Sequence, residues 1–505
     1  MRVIITASGI QDYIFNITER KASARLRGRS ARLGLVMDLC LFRLQEKFGN
    51  KIEVKRNAGS RLEVEIPNGE GAADFLEHLR QDLDEHSHGD LNGEVWFAVG
   101  HSTDRDEAYK DVDDRKFAIG KAILQRHGNW DPTRFVFDRW PSERALQNPD
   151  DADAITLPEA VLGRNLADMD NHVVTFNPVT TPSRDQLWML GHAVKVKQGQ
   201  ADGGLSVAVL DTNGKTVQSS DKRMARYAPK GDDGQLLDLD EIAKQACGAK
   251  FLGVLKADLD GLGETFKGLN EKDAKELSDH LEALFTEELE NLIRSNADYE
   301  YIYVVYSGGD DLFLLGPWDK LIRFVHDFHS HLAESFKPDY PRLTLSAGFK
   351  LAHPKSPVRF LATDVETSLE QAKGRGVKPT KLKAKNRIAV FERVIAWDEL
   401  SDGLMWGDRF ITGASEYNLS RGLLQRLQYY ADQFDHFFSK GDMLGLRAVP
   451  LLQDDWRRNI ARVKEPLKSD LIREVQPKLT QLGEQGERMW RVIELASRFA
   501  IYALR

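Results

Sequence analysis

An internal repeat of secondary-structure signals constrains this chain more than any other feature of its sequence. Residues 1–128 and 250–392 each predict the element order β-α-β-β-α-β, because short apolar or alternating runs are separated by segments with helical spacing of apolar residues. That order is typical of the ferredoxin-like split βαβ unit, an antiparallel sheet with helices on one face. The strands predicted for the second copy are Phe251–Ala257, Tyr301–Tyr306, Leu312–Leu315, Arg342–Phe349 and the closing strand Ile388–Phe391.

The repeat divides the 505 residues into four predicted domains with an α+β fold. Both copies, at 1–128 and 250–395, are predicted to be ferredoxin-like (βαββαβ) palm/cyclase domains, since many polymerases and cyclases use this layout; that link is fold analogy. Pro-, Gly- and Asp-rich patches interrupt the strand candidates of 129–249, which indicates an irregular inter-palm insert. Helical spacing of apolar residues predicts a C-terminal helical bundle over 396–505.

Composition excludes several classes of protein. The net charge of −8 argues against a general polyanion-coating protein, so any nucleic-acid contact must come from local basic patches. The two cysteines, Cys40 and Cys247, build neither a disulfide framework nor a four-cysteine zinc site, and a reducing compartment is expected. No run of about 18 apolar residues occurs, so we expect no membrane span and a cytoplasmic location.

Two acidic motifs mark the second copy. Asp258-Leu259-Asp260 comes directly after a predicted strand, where residues two apart face the same side, so both carboxylates can point one way. Gly308-Gly309-Asp310-Asp311 lies at the tip of a predicted hairpin, where glycines permit a tight turn and close approach of a ligand. Because the first strand lies beside this hairpin in the predicted fold, we expect the two motifs to meet at one end of the sheet.

Carboxylates that converge in this way repel one another, and a divalent cation relieves the repulsion. Hard oxygen ligands suit Mg²⁺ or Mn²⁺. Two such ions about 3.5–4 Å apart hold the attacking and leaving oxygens of a phosphoryl transfer in line. The predicted ligands of this two-metal site are Asp258, the Leu259 carbonyl, Asp260, Asp310 and Asp311. An Asp-rich surface turn remains the alternative for either motif taken alone.

A basic segment follows the last predicted helix of the second copy. Residues 373–387, KGRGVKPTKLKAKNR, contain seven basic residues and no acidic one. Such a patch favours the triphosphate of a nucleotide. A solvated basic loop is an equal alternative.

In this order the motifs resemble one family. DLDGLG, YSGGDDLFLLGPWD, LTLSAG, QAKGRG and AKNRIAVF are similar to the second palm of the Cas-ten family, the large palm-domain (Csm/Cmr-type) subunit of type III CRISPR effector complexes. SGIQDYIF and LRGRSARL resemble its first palm, and MWRVIELASRFAIYALR resembles the end of its helical domain. The resemblance touches nearly the whole chain and is strongest over 250–392.

The resemblance implies that the second palm converts ATP to cyclic oligoadenylates, with release of pyrophosphate, when the complex binds target RNA. It implies Asp258, Asp310 and Asp311 as catalytic residues, and it places Lys373 and Lys385 where related GGDEF cyclases have phosphate-contacting lysines. The implied partners are other type III subunits, with crRNA and target RNA bound through the complex. The predicted nucleotide-binding residues are Ser307, Gly308, Gly309, Lys373, Lys385 and Arg387.

Two departures from the family pattern stand out, and the two copies also differ from each other at their hairpins. The family often has an N-terminal HD nuclease domain, whereas here the first palm begins at residue 1 and the HD dipeptide His326-Asp327 lies on a predicted helix, so we expect no single-strand DNase activity. The insert lacks the cysteines that usually bind zinc. Residues 57–61, NAGSR, replace GGDD in the first palm, which predicts a non-catalytic domain, either a scaffold or a partner in binding the acceptor nucleotide.

Two other functions remain alternatives. One is a stand-alone nucleotide cyclase of GGDEF-like or anti-phage signalling type, although Asp311 stands where GGDEF enzymes have Glu. The other is a non-catalytic subunit that serves assembly of the crRNA complex.

Overall fold

The computed structural model describes most of the chain, and its contacts divide the chain into two compact units. The first unit comprises residues 1–226, 230–236 and 357–359, and the second comprises 227–229, 237–356 and 360–505. The described residues are 1–15, individual positions between 26 and 48, 49–58, 61–69, 71–89, 95–128, 172–176, 194–198, 205–210, 216–222, 227–232, 236–308, 310–336, 339–375, 385–481 and 483–505. Both units are mixed α+β structures.

The first unit contains two four-stranded sheets. In the first sheet the strand order is β2-β3-β1-β4, and β1 pairs antiparallel with both β3 and β4. Its strands are β1 (Arg2–Ser8), β2 (Glu53–Ala58), β3 (Arg61–Glu65) and β4 (Trp96–Ser102). The second sheet has the order β6-β5-β7-β8, and its strands are β5 (His172–Phe176), β6 (Val194–Gln198), β7 (Leu205–Leu210) and β8 (Thr216–Lys222).

Helices accompany the first sheet. They are α1 (Ile10–Phe15), α2 (Ala72–Gly89) and α3 (Arg105–Gly128), and the described positions between 26 and 48 are helical as well. Ala108 and Val112 of α3 pack on Ile4 and Ala98 in a fully buried cluster. The alternating apolar residues of β1 and β4 therefore supply a core that α3 covers.

The second unit is built on a six-stranded sheet with the order β10-β11-β9-β12-β13-β14. The central strand β9 is antiparallel to both β11 and β12, whereas β13 is parallel to β12. The strands are β9 (Leu252–Asp260), β10 (Tyr303–Gly308), β11 (Asp311–Pro317), β12 (Thr344–Ala352), β13 (Arg387–Val390) and β14 (Arg393–Ala396). Thus β9 continues through Asp260, although the sequence predicted its end at Ala257, because pairing with β12 extends to Thr344.

Helices cover both faces of this sheet. A Cβ on Gly253 would lie 3.0 Å from Trp318 Cα of α8, so α8 crosses closely over the face of the odd-numbered β9 residues. Gly348 pairs with Lys256, and a Cβ there would lie 2.5 Å from the backbone of α9, so α9 covers the opposite face. The helices up to α9 are α4 (Leu239–Lys244), α5 (Leu262–Lys267), α6 (Glu271–Ala283), α7 (Leu289–Arg294), α8 (Trp318–Phe336) and α9 (Val358–Ala372).

Among the described residues, every element after Ala396 is helical. Trp406, Phe410, Phe434 and Trp490 lie in one buried cluster that these helices share. The helices are α10 (Trp397–Glu416), α11 (Arg421–Lys440), α12 (Ala448–Ile460), α13 (Leu467–Asp470), α14 (Gln476–Leu479) and α15 (Glu484–Ala503). In the part of the chain that the structure describes, no helix is both long and apolar enough to cross a membrane.

Candidate active site

The strand register brings the two acidic motifs together. Asp311, the first residue of β11, is the direct partner of Asp258 on β9, so both side chains leave the same face of the sheet. The Leu259 amide donates a hydrogen bond of 2.9 Å to the Asp310 carbonyl, which ties the hairpin tip to the central strand. Carboxylates separated by more than fifty positions along the chain therefore meet at one end of the sheet.

This end of the sheet is an acidic cluster whose charge Lys256 and Lys373 compensate only in part. Burial raises the pKa of Asp311 to about 7; the Lys256 ammonium opposes that shift, while the carboxylates of Asp310 and Asp258 add to it. Burial also raises the pKa of Asp258, against the lowering effect of Lys373. The hydroxyl of Tyr306 has a pKa well above its usual value because of burial and the nearby carboxylates. The site therefore favours added positive charge.

Two ion pairs connect β9 to the helix above this face. Lys373, just past the end of α9, places its Nζ 2.6 Å from Oδ2 of Asp258. Two residues earlier on β9, the buried ammonium of Lys256 contacts the carboxylate of Glu366 on α9. Because Lys256 and Asp258 face the same side, α9 supplies one partner to each.

Asp260 has surroundings unlike those of Asp258. Its side chain is only 3% exposed. Its Oδ2 accepts hydrogen bonds from the hydroxyls of Ser346, at 2.6 Å, and Thr344, at 3.1 Å. The same oxygen accepts a third hydrogen bond, of 3.0 Å, from the Asn386 amide. Asp260 thus connects β9 and β12 to the described end of the basic segment.

The other residues predicted to bind nucleotide take several positions. The Ser307 hydroxyl donates to the Phe285 carbonyl in the π-helical turn Leu284–Glu288. Gly308 ends β10 opposite Asp311. Gly309 lies outside the described residues, as do positions 376–384 of the basic segment. Lys385 is exposed and Arg387 begins β13.

The predicted Mg²⁺ or Mn²⁺ needs oxygen donors that converge on one point. Within the described residues, no three His, Cys, Asp or Glu side chains already form a metal-binding group. The positions fit nevertheless, because Asp258 and Asp311 are paired across the sheet and both have raised pKa values. In this conformation the Lys373 ammonium provides the positive charge at Asp258. The five predicted metal ligands stay a prediction.

Sequence reasoning missed four polar residues around the site. They are Lys256, Thr344, Ser346 and Glu366. Lys256 carried a signal, since a lysine within the apolar run of β9 at the same spacing as Asp258 and Asp260 needs a buried partner. Thr344 and Ser346 alternate in the same way on β12. No local pattern distinguished Glu366 from the other acidic residues of α9.

Comparison with known families assigns two regions of the chain. Residues 251–389 match the family described as Cas10/Cmr2, second palm domain. Residues 3–120 match the family described as Csm1 subunit domain B. These regions correspond to the two copies of the internal repeat.

Curated relatives are CRISPR system single-strand-specific deoxyribonucleases Cas10/Csm1 of subtype III-A. The protein from Thermococcus onnurineus is 24% identical over 438 residues, covering 76% of this chain and 54% of that protein. The protein from Streptococcus thermophilus is 22% identical over 496 residues, covering 90% of this chain and 60% of that protein. This chain therefore spans a little over half the length of these relatives.

Solved structures agree on the fold. The apo Csm1–Csm4 cassette matches with a TM-score of 0.68 at 18% identity, covering 100% of this chain and 70% of that one. The cassette in complex with cA4 matches with a TM-score of 0.67 at 17% identity, covering 100% and 70%. The complex with one ATP gives 0.65 at 18% identity, covering 98% and 69%. The two family matches, supported by the curated relatives, show that the chain belongs to the Cas10/Csm1 family of type III CRISPR systems.

Proposed function

We propose that this chain is the large subunit of a type III CRISPR effector complex and that its second palm makes cyclic oligoadenylates from ATP. The observation that carries the proposal is the register pairing of Asp258 with Asp311 next to Asp310, in a cluster where burial raises the pKa of two carboxyls. Relatives of the same fold have been solved with one ATP, with pppApA and with cA4, which supports this substrate class.

In the proposed reaction a ribose 3′-oxygen attacks the α-phosphorus of a second ATP. The new P–O bond forms as the bond to pyrophosphate breaks, and repetition followed by head-to-tail attack closes the ring. Asp258, Asp310 and Asp311 would hold a divalent cation, which would supply Lewis-acid charge that lowers the pKa of the 3′-hydroxyl. Asp258 and Asp311 orient the reacting groups from neighbouring strands.

Lys373 has two tasks in this proposal. In the described conformation it neutralises Asp258. When another cation neutralises Asp258, the Lys373 ammonium becomes available to the departing pyrophosphate, where a lysine offers a compact point charge. Lys385 and Arg387 are proposed to contact the same triphosphate, with Ser307, Gly308 and Gly309 at the hairpin.

The proposal also covers the fold of the two copies, the domain boundaries, the partners and the location. Both repeat copies are taken as ferredoxin-like palms, which the equivalent orders β2-β3-β1-β4 and β10-β11-β9-β12 support. The four domains keep the boundaries 1–128, 129–249, 250–395 and 396–505. The partners are other type III subunits, with crRNA and target RNA bound through the complex, which the Csm1–Csm4 subcomplexes of relatives support. A cytoplasmic location belongs to the proposal as well.

The decisive experiment removes two carboxylates. The variant with Asp310→Asn and Asp311→Asn, assembled with its complex and given target RNA, ATP and Mg²⁺ or Mn²⁺, is expected to lose cyclic products as read by mass spectrometry. Asp279→Asn, an exposed aspartate on α6, is the matched control and should keep wild-type synthesis. Synthesis retained in the double variant would contradict the site. If the wild-type complex shows no metal-dependent consumption of ATP, the result would favour a non-catalytic assembly subunit. If synthesis does not require RNA, the result would favour a stand-alone cyclase.

A further inference from the structure

The turn before β13 has an unusual backbone for its sequence. Lys385 and Asn386 have φ angles of 72° and 51°, in the left-handed region that non-glycine residues rarely occupy. Two such residues in succession cost on the order of 1–3 kcal/mol each, so the surroundings must hold them. This turn carries two of the basic side chains proposed to bind nucleotide, Lys385 and Arg387.

Two backbone amides of the turn donate hydrogen bonds, and the Asn386 side chain also contacts Nε2 of His329 at 3.4 Å. The Asn386 amide donates to Oδ2 of Asp260 at 3.0 Å, and the Lys385 amide donates to the Ala372 carbonyl at the end of α9 at 3.3 Å. The first is the stronger, because its acceptor is a buried carboxylate and it is the shorter of the two. Asp260 is therefore the principal anchor of the turn.

Asp260 is itself held in place. The hydroxyls of Thr344 and Ser346 donate to the same oxygen, Oδ2. These two residues are alternate positions at the start of β12, beside the end of β9, so the carboxylate is held between two neighbouring strands at this end of the sheet. The other oxygen, Oδ1, is buried and has no hydrogen-bond partner among the described residues.

A cavity of about 600 Å³ adjoins the carboxylate and the turn. Its basic lining residues are Arg342, Lys385 and Arg387, and Asp260 lines it together with two further carboxylates. A pocket of this size accommodates part of a nucleotide, with the basic groups suited to phosphate. The positions of Lys385 and Arg387 depend on the left-handed turn that Asp260 holds.

We infer that Asp260 is a positioning residue that fixes the basic turn for a nucleoside triphosphate, and that it is not a ligand of the catalytic metal. This inference deepens the proposed function and rests on it. The two aspartates of the DLD motif then have different roles. Asp258 faces Asp311 and the proposed metal site, whereas Asp260 holds the turn with the basic side chains by accepting a hydrogen bond from a backbone amide.

Variants of the full chain separate positioning from metal binding. Asp260→Ala removes the anchor, Asp260→Asn keeps one acceptor oxygen for the Asn386 amide, and Asp258→Asn is the matched control two residues away on the same face. Mn²⁺ affinity is measured by electron paramagnetic resonance, and ATP affinity by calorimetry. Asp260→Ala should weaken ATP binding about 10- to 100-fold while Mn²⁺ affinity stays within about twofold, since misplaced binding groups cost this much. Asp260→Asn should recover most of the ATP affinity.

A second variant acts from the other end of the hydrogen bond. Asn386→Pro deletes the donor at an exposed position and cannot adopt the left-handed φ, so it should weaken ATP binding like Asp260→Ala and leave Mn²⁺ binding intact. Hydrogen exchange gives a readout independent of nucleotide, because the amides of residues 385–388 should exchange about tenfold faster in Asp260→Ala.

The outcomes are distinguishable. Loss of Mn²⁺ binding in Asp260→Asn equal to that in Asp258→Asn would make Asp260 a metal ligand and overturn the inference. Unchanged ATP affinity and unchanged exchange in Asp260→Ala would overturn it as well. ATP binding by a wild-type chain whose complex makes no cyclic product would overturn the proposed function and leave the inference standing.

Discussion

The hairpins of the two repeat copies have the same backbone plan but tips of opposite charge, with Arg61 in the first copy and Asp310 and Asp311 in the second. In both, the first strand contains an irregularity in register, between Val54 and Arg56 in one copy and between Val304 and Tyr306 in the other. The strand orders β2-β3-β1-β4 and β10-β11-β9-β12 are equivalent. At the position where Asp311 faces Asp258, the first copy has Arg61 facing Thr6.

Charged side chains of the first copy are paired with opposite charges, whereas the second copy has an excess of carboxylates at the corresponding end of its sheet. Arg61 lies 3.7 Å from the carboxylate of Glu63 and 4.6 Å from the ring centre of Tyr109. Glu63 also pairs with Arg2 at 3.4 Å and accepts a hydrogen bond from the Tyr109 hydroxyl. In the second copy three carboxylates share an end of the sheet with Lys256 and Lys373. The same strand arrangement thus holds a network of paired charges in the first copy and a cluster of carboxylates that favours a bound cation in the second.

The largest effect on activity is expected when the second copy receives the residue that the first copy has at the same position. Asp258→Thr places a hydroxyl where Thr6 stands and removes a carboxylate that faces Asp311. We expect turnover of ATP to fall by about 10³-fold, since charge stabilisation of the phosphoryl transfer is lost. Product formation by the assembled complex is the measurement.

The control for that variant lies in the first copy. Thr6→Val removes a hydroxyl at the equivalent position without changing the shape of the side chain, and it should leave turnover within about twofold of wild type, because a buried polar-to-apolar exchange acts on stability. Equal losses in the two variants would mean that both hairpins take part in the chemistry, contrary to the expectation of a non-catalytic first palm.

A smaller loss is expected when the cation next to Asp258 is removed. Lys373→Met deletes the ammonium 2.6 Å from that carboxylate. The value of kcat/KM for ATP should fall about 10- to 100-fold, because one charge partner of the phosphates is missing. Mn²⁺ affinity should not decrease, since a competing positive charge is gone. Lys355→Met, at an exposed position, is the matched control, and weaker Mn²⁺ binding in Lys373→Met would contradict the exchange of partners.

A third prediction concerns stability. Burial raises the pKa of Asp311 to about 7, above its ordinary value, so the ionised carboxylate destabilises the metal-free fold at pH 8. As pH falls below 7 the folded-state carboxyl takes up a proton and the cost decreases. Asp311→Asn should therefore raise the free energy of unfolding in EDTA by about 1–3 kcal/mol at pH 8, and by less at pH 5.5.

Hydrogen exchange of the β9 and β11 amides as a function of urea measures that difference, and Asp279→Asn should show no pH-dependent gain. Added Mg²⁺ should reverse the order of stability, because the cation binds the folded wild type alone. A variant that is less stable than wild type at both pH values would show that the Asp311 charge is already compensated in the metal-free protein.

The repeat, and the meeting of its two acidic motifs, could be predicted because both follow from local signals. Apolar periodicity defined β9, β10 and β11, and strand adjacency in the split βαβ order then placed Asp258 beside Asp311. Pairing determines how far a strand continues, so the sequence missed that Asp260 belongs to β9 and that β14 exists.

The contacts made by α9 and the turn after it could not be predicted. Lys373 was expected to contact a phosphate of the nucleotide, but in the structure it forms an ion pair with Asp258. Asp260 was expected to bind metal, but its carboxylate accepts three hydrogen bonds. These contacts depend on how closely α9 crosses the sheet at Gly348, which is a property of tertiary packing. The predicted roles of these residues remain predictions until the variants are measured.

The smallest effect is expected in the first copy, where the equivalent of Asp311 is Arg61. Arg61→Met keeps the aliphatic stem against Tyr109 and removes the charge near Glu63, which retains Arg2 as a partner. The loss of stability should be about 0.5–1 kcal/mol, since the remaining network compensates Glu63, and turnover should stay unchanged. Hydrogen exchange over β3 measures the loss. If turnover instead falls as much as in Lys373→Met, Arg61 of the first copy would take part in binding the acceptor nucleotide.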